Sequence, residues 1–356
     1  MQPMTELDAE TLRDYYRTFA RVEATDTSPI YTAWAEGVAA DDEIIARLLA
    51  LPRPKRQANL LFAAARHLGA GERSYADLRS WLLEHWTQTR DLMLARSTQT
   101  NEAGRCATLL PALSRIDGPL ALIEVGASAG LCLYPDRYSY RYTITEAAGP
   151  ATSACTAEPD PARTVRLDPS SGPSPVLIDC ELSNASAPRG LPDVAWRAGI
   201  DLNPIDITDA REREWLRSLV WPEHDVRRER LIAAAALVAE DPPRLVRGDL
   251  LETIEAVLAE VPASTQPIVF HSAVLAYIGA EARAEFETLM RSREDVVWIS
   301  NEGAQVLPDI GAQVEAGASG GHAADGRFVL AVDGEAIALT GPHGQSYEGL
   351  ADREHA

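Results

Sequence analysis

The sequence predicts an α/β fold: a mainly parallel, seven-stranded sheet closed by a C-terminal antiparallel hairpin, preceded by an all-helical domain and carrying a small β-rich insertion. Three observations predict it. Up to about residue 116 the apolar residues recur only at helical spacing. From Pro119 onward, short apolar runs alternate with amphipathic helical stretches, the pattern of parallel strands joined by right-handed crossovers. Near the end, Asp333-Gly334 separates two apolar runs, a strong hairpin signal.

A chain of 356 residues suits two domains. The change of periodicity divides it into a helical domain, 1–117, and an α/β domain, 118–350, with the insertion at about 132–193. Hydrophobic residues make up 46% and charged residues 24%, which is globular rather than disordered composition. The formal charge of −20 argues against nucleic acid as a partner. The densest basic group, Arg227, Arg228 and Arg230, has acidic neighbours and reads as a solvated helix face. Lys55 is the only lysine, which excludes a lysine Schiff base in the α/β domain. Cys106, Cys132, Cys155 and Cys180 lack metal-site or disulfide spacing and read as reduced thiols. The polar, acidic start from Met1 to Glu10 is unlike a signal peptide, and no apolar run reaches membrane-spanning length. The expectation is a cytoplasmic protein without a membrane partner.

In the helical domain, Leu12 to Val22 is amphipathic, and Ser28-Pro29 starts the helix carrying Tyr31 and Trp34. Asp41 to Leu51 places Ile44, Ile45, Leu48 and Leu49 at helical period, stopped by Pro52 and Pro54. Gln57 to Leu68 ends at Gly69-Ala70-Gly71, a C-cap signal. Ser74 to Thr89 buries Leu78, Trp81, Leu82 and Leu83. A last helix holds Thr100 to Arg105 and runs on through Leu110. On it Asn101 and Arg105 share a face, with Glu102 displaced. These three are either caps and a surface ion pair, or polar groups lining a cleft.

Leu120 to Val125 is a strand buried on both faces that ends in a glycine turn. The insertion, rich in Pro, Gly, Ser and Thr, contains β-like runs at 138–145, 164–167 and 176–182 and is expected on the ligand side of the sheet. Strands follow at 194–202, 244–247, 267–272 and 296–300. Helices lie between them: Thr208 or Asp209 to Val220, Pro222 to about Glu240, a third to Val261, and Ala280 to Arg291. The hairpin pairs 328–332 with 336–340.

The chemistry sits at the strand ends. Glu124-Val125-Gly126-Ala127-Ser128-Ala129-Gly130 leads from a strand toward a helix, and its glycines let backbone N–H groups approach a ligand. The second strand ends at Asp201-Leu202-Asn203-Pro204, where a carboxylate can accept both hydroxyls of a ribose; the alternative is an Asx-Pro turn. The third ends at Gly248-Asp249, placed either for an adenine amino group or as a helix cap. The fourth ends at His271-Ser272, and Asn301-Glu302 follows the fifth. His271 is a candidate general base oriented by Glu302, or a structural histidine.

This arrangement resembles the Rossmann-like class I S-adenosylmethionine-dependent methyltransferase fold over about 118–349, the insertion aside. The resemblance rests on the Glu124–Gly130 turn, Asp201, Asp249 and the terminal hairpin. The middle glycine of the methyltransferase loop is Ser128 here, and Asp201 follows only after the insertion. More narrowly, Ile123-Glu124-Val125-Gly126-Ala127-Ser128-Ala129-Gly130-Leu131, Arg197-Ala198-Gly199-Ile200-Asp201-Leu202-Asn203-Pro204 and Phe270-His271-Ser272-Ala273-Val274-Leu275 resemble the bacterial family DUF2332, a likeness that brings no activity with it.

The methyltransferase resemblance implies S-adenosylmethionine as cofactor, held by Glu124, Gly126, Ser128, Gly130, Asp201, Asn203 and Asp249. Asn101, Glu102, Arg105, Ser272 and Asn301 then line the site of a small-molecule acceptor, with His271 and Glu302 as the catalytic candidates and no metal. A non-catalytic ligand-binding or partner module is the alternative. A nicotinamide-dependent oxidoreductase is a further one, opposed by the hairpin and by the missing third glycine of dinucleotide spacing.

Overall fold

The computed structural model describes residues 6–99, 101–145, 163–317 and 326–350. Two compact units divide the chain, one formed by 1–100 with 209–229 and the other by 101–208 with 230–356.

The N-terminal helices are α1 (Glu6–Thr18), α2 (Pro29–Ala39), α3 (Asp42–Leu49), α4 (Ala58–His67), α5 (Tyr75–Glu84) and α6 (Trp86–Ala95). Among the described residues no strand precedes Pro119. The starts follow from caps. Ser28 Oγ accepts from Tyr31 N at 3.1 Å with Pro29 in the first turn, and Asp41 Oδ1 accepts from Glu43 N and Ile44 N at 3.0 and 3.1 Å. The expected helix from Ser74 to Thr89 is two helices. His85 lays its ring on Trp81, centroids 4.3 Å apart, and both its amide and its Nδ1 reach the Trp81 carbonyl. The core of this unit is aromatic, built from Tyr16, Phe19, Tyr31, Trp34, Phe62 and, from the later segment, Trp215.

In the second unit the helix expected over Thr100–Leu110 is shorter. Thr100 lies outside the described residues. Asn101 and Glu102 are irregular, Ala103–Arg105 is a single 3-10 turn, and α7 spans Cys106–Leu113. The side chain of Glu102 caps this start by accepting from Gly104 N at 3.0 Å. Asn101 and Arg105 therefore do not share a helical face.

The strands are β1 (Pro119–Val125), β2 (Ser139–Thr145), β3 (Arg163–Leu167), β4 (Leu177–Ser183) and β5 (Asp193–Asp201). Helices α8 (Ala210–Leu219) and α9 (Asp225–Glu240) precede β6 (Arg244–Arg247), and α10 (Leu250–Leu258) precedes β7 (Gln266–Ser272). Then come α11 (Ala280–Arg291), β8 (Val297–Gly303), α12 (Pro308–Gly317), β9 (Phe328–Val332), β10 (Glu335–Thr340) and β11 (Ser346–Gly349). Helix α9 starts three residues after the expected Pro222, and α12 had no forerunner in the sequence reading.

Among the described residues one mixed, mainly parallel sheet of eleven strands results, in the order β3-β2-β4-β11-β10-β9-β8-β7-β1-β5-β6. That replaces the expected seven. The insertion, expected on the ligand side of the sheet, extends the sheet itself: β4 pairs in parallel with β11, β2 with β4, and β3 closes the edge. The alternating burial of β4, buried at Ile178, Cys180 and Leu182, marks a strand with one covered face, and β2 and β11 supply its hydrogen bonds from either side. The hairpin around Asp333-Gly334 forms as expected, but β9 lies inside the sheet between β8 and β10.

The strands β1, β5, β6, β7 and β8 are parallel, and in their own sequence order they stand 3-2-1-4-5. The order reverses between β1 and β7, the crevice where ligands bind in open α/β sheets. Beneath one face, Ile123, Val125, Ile200, Val269, Phe286 and Trp298 pack with α10 and α11.

Candidate functional site

Register decides which strand-end residues can meet. Glu124 pairs with Phe270 and Val125 with His271, while Ser272 pairs with Asn301 and His271 with Ser300. Side chains alternate between faces, and registered partners on parallel strands point the same way. Glu124, Ser272 and Asn301 therefore share one face, and His271 and Glu302 lie on the other. Asp201, next after the Val125 partner Ile200, joins the face of Glu124.

The Glu124 face carries a connected polar group. Asn301 Nδ2 donates to Ser272 Oγ at 3.1 Å, and Thr340 Oγ1 donates to Asn301 Oδ1 at 2.7 Å. Arg105, 7% exposed, donates from Nη1 to the Ser272 carbonyl at 2.7 Å and from Nε to the Pro342 carbonyl at 3.0 Å. Glu102 is ion-paired with Arg230, Nη2 to Oε1 at 2.8 Å, rather than facing the crevice as a free acid. Glu124 is buried, and its Oε2 is sealed without a hydrogen-bond partner. Burial first, then the Cys132 thiol and the Asp201 carboxylate, push its pKa well above the usual carboxylate value, while Arg105 pulls it down.

The glycine turn is held from within. Gly126 and Ala127 donate to the Ile200 carbonyl at 2.8 and 3.2 Å, and Gly130 to the Ala127 carbonyl at 2.6 Å. Ser128 N donates to Asp201 Oδ2, and Ala129 N to Asn101 Oδ1, both at 2.8 Å. Asn101 Nδ2 completes a two-point clamp by donating to Ser128 Oγ at 2.6 Å. Ser128 sits at φ 52, the left-handed conformation that glycine supplies without strain, and the clamp offsets that cost. A single 3-10 turn, Leu131–Leu133, follows in place of the expected helix, so no helix N-terminus faces the turn. A Cβ on Gly126 would come within 2.4 Å of Val274 Cγ2, and one on Gly130 within 2.7 Å of Pro243 Cγ. The space above these glycines is filled by the chain itself.

Along the same edge, Asp201 Oδ1 accepts from Asn203 N at 2.7 Å, and the Asp201 carbonyl accepts from Gly248 N at 3.1 Å. Asn203 Oδ1 accepts from Arg247 Nη1 at 3.0 Å. Asp249 caps α10 by accepting from Leu251 N at 2.9 Å and remains exposed.

On the opposite face, His271 Nδ1 donates to Glu302 Oε1 at 2.7 Å, and Nε2 accepts the indole N–H of Trp298 at 3.0 Å. The indole can only donate, so Nε2 holds its lone pair toward Trp298 and Nδ1 carries the proton. Glu302 Oε1 also accepts from Val274 N and Leu275 N at 2.9 and 3.1 Å. His271 is fully buried against Phe286, centroids 5.8 Å apart. The geometry joins His271 to Glu302, as the sequence suggested, in a pair that anchors the turn after β7.

Sequence reasoning missed Trp298, Thr340 and Val274, and it read Arg230 as part of a solvated helix face, whereas its side chain is 12% exposed and paired with Glu102. Trp298 had a signal: residues 298, 300 and 302 alternate onto one face, so Trp298 and Glu302 flank Ser300, the register partner of His271. The others are brought in by long-range packing. Of the cysteines, Cys106, Cys132 and Cys180 are free and buried, and Cys155 lies outside the described residues. Among the described residues, no group of His, Cys, Asp or Glu is arranged to hold a metal ion, and no helix is long and apolar enough to cross a membrane.

No curated protein and no solved structure matches the chain. Residues 13–348 match the family described as "Uncharacterized protein conserved in bacteria (DUF2332)". The chain belongs to that family.

Proposed function

We propose that this DUF2332 member binds S-adenosylmethionine at the β1–β7 crevice and transfers its methyl group to a small-molecule acceptor. The observation that carries the reading is the Asp201 carboxylate. It ends the strand beside β1, is half-buried, and spends one hydrogen bond on each oxygen, to Ser128 N and Asn203 N. A carboxylate offers about four lone-pair sites, so two remain for the vicinal hydroxyls of a ribose. Asp249, just beyond the end of the next strand, is the group this reading assigns to the adenine.

The chemistry needs little from the protein beyond alignment. Methyl transfer from a sulfonium is an in-line displacement whose leaving group departs as a neutral thioether, so no acid is required. Positioning accounts for the rate. His271 is not available as a base, since its lone pair holds the Trp298 N–H, so a proton released by an O–H or N–H acceptor on methylation leaves to solvent.

A second reading, a ligand-binding module without catalysis, is favoured by the closed turn, in which every amide from Gly126 to Gly130 has a partner within the chain. Titration calorimetry with S-adenosylhomocysteine, followed by transfer assays with methyl-labelled S-adenosylmethionine, separates the two. Binding with transfer supports the enzyme, and binding without transfer to a broad acceptor panel supports the module. No heat at millimolar ligand ends both as cofactor readings.

A further inference from the structure

Arg105 is the most unusual charge in the second unit. Arg105 is 7% exposed, yet no carboxylate lies within ion-pair distance of its guanidinium among the described residues. Nε and Nη1 are spent on the carbonyls of Pro342 and Ser272, which are dipoles and not counter-charges. Nη2 has no hydrogen bond among the described residues, and it is not one of the sealed, unbonded atoms of the chain. The acidic neighbours do not balance it. Glu102 is committed to Arg230, Glu124 stands beyond ion-pair distance, and the Phe328 ring, 5.7 Å from the guanidinium carbon, offers a π face and not a counter-charge. A buried cation is costly unless an anion or strong hydrogen bonds compensate it. By its bond to Ser272 the guanidinium is tied to the end of β7, beside the point where the strand order reverses.

We infer that Arg105 is a binding residue for the carboxylate of the bound ligand, received through Nη2. A planar guanidinium already fixed by two carbonyls is pre-organised for a carboxylate at its remaining edge. The inference rests on the cofactor reading above and names the part of the ligand that this residue recognises: the amino-acid carboxylate, not the nucleoside.

Two nucleosides test it. S-adenosylhomocysteine carries the carboxylate, and 5′-methylthioadenosine lacks the whole amino-acid end. Calorimetry on the full chain should show wild type binding the first about tenfold to a hundredfold more tightly, the range of one charge-assisted hydrogen bond. Arg105→Gln should remove most of that preference while leaving 5′-methylthioadenosine affinity within about twofold, which also shows that the site is folded. Arg105→Lys, which keeps the charge and loses the fork, should fall between them. If Arg105→Gln does not fold, the lysine variant decides: a preference equal to that of wild type overturns the inference. Equal wild-type affinity for the two nucleosides, or a preference untouched by either substitution, overturns it and leaves the cofactor reading standing. Binding of neither nucleoside overturns both.

Discussion

Trp298 donates its indole N–H to His271 Nε2 at 3.0 Å, inside the sheet and away from the crevice. Together with the Nδ1 bond to Glu302 it commits both ring nitrogens, so the imidazole is a strut between β7, β8 and the turn after β7. His271→Ala should cost about 2–4 kcal/mol, because it opens a cavity and leaves the indole N–H and one bond of a buried carboxylate unmade. Trp298→Phe should cost about 1–3 kcal/mol for the lost donor and volume. Urea denaturation measures both, and methyl transfer per folded molecule should stay within about twofold of wild type for each. A His271→Ala protein of wild-type stability whose transfer collapses would return the histidine to a catalytic role.

Glu124 gives the fold a pH dependence of known sign. Its usual value is 4.5, and burial raises it in the folded chain while Cys132 and Asp201 raise it further and Arg105 opposes them. The folded state therefore keeps a proton that the unfolded chain has released. The penalty is absent below about pH 4.5 and grows as pH rises toward the folded value. Glu124→Gln keeps the shape and removes the titration. The melting temperature of the variant minus that of wild type should increase as pH rises above about 4.5 toward the folded value. A difference that is flat or falls over that range would show Glu124 ionised in the folded chain.

What the sequence disclosed and what it hid divide along range of contact. Strand β1 was legible because burial on both faces leaves an apolar run, Leu120 to Val125, broken only by Glu124, and the caps Ser28, Asp209 and Asp249 were legible because capping is local. The place of the insertion was not. β11 is four residues, Ser346–Gly349, too short for a periodic signal, and nothing local says that its edge pairs with β4. The strand-end residues were legible as a set, but their division between the faces needed the register of β7 with β1 and β8. Adjacent Asn301 and Glu302 look like partners in the sequence, and alternation sends them to opposite sides.

Asp201 should discriminate among nucleosides. With two acceptor sites left for a ribose, wild type should bind adenosine about tenfold more tightly than 2′-deoxyadenosine, the effect of one hydrogen bond to a charged group. Asp201→Asn retains one acceptor oxygen for the turn and loses the charge, so the preference should shrink toward unity while the protein stays folded. Calorimetry with both nucleosides is the measurement, and equal affinities in wild type would remove Asp201 from the ribose.

The glycine turn offers a test of why Gly126 is glycine. At φ 71 any L residue is strained, and a Cβ would stand 2.4 Å from Val274 Cγ2. Gly126→Ala should therefore cost about 2–4 kcal/mol, part from the left-handed backbone and part from overpacking. Val274→Ala alone should cost about 1–2 kcal/mol through lost packing. The two should not add. Shortening Val274 opens the space that the new methyl needs, so the double variant should be more stable than the sum of the single changes predicts by about 1 kcal/mol or more. The backbone strain is untouched by Val274→Ala, so rescue must be partial. Additive costs in denaturant titrations would mean that Val274 moves aside freely and that the glycine is there to leave room for a ligand. In that case Gly126→Ala should also weaken S-adenosylhomocysteine binding in a protein that remains folded, which packing alone does not require.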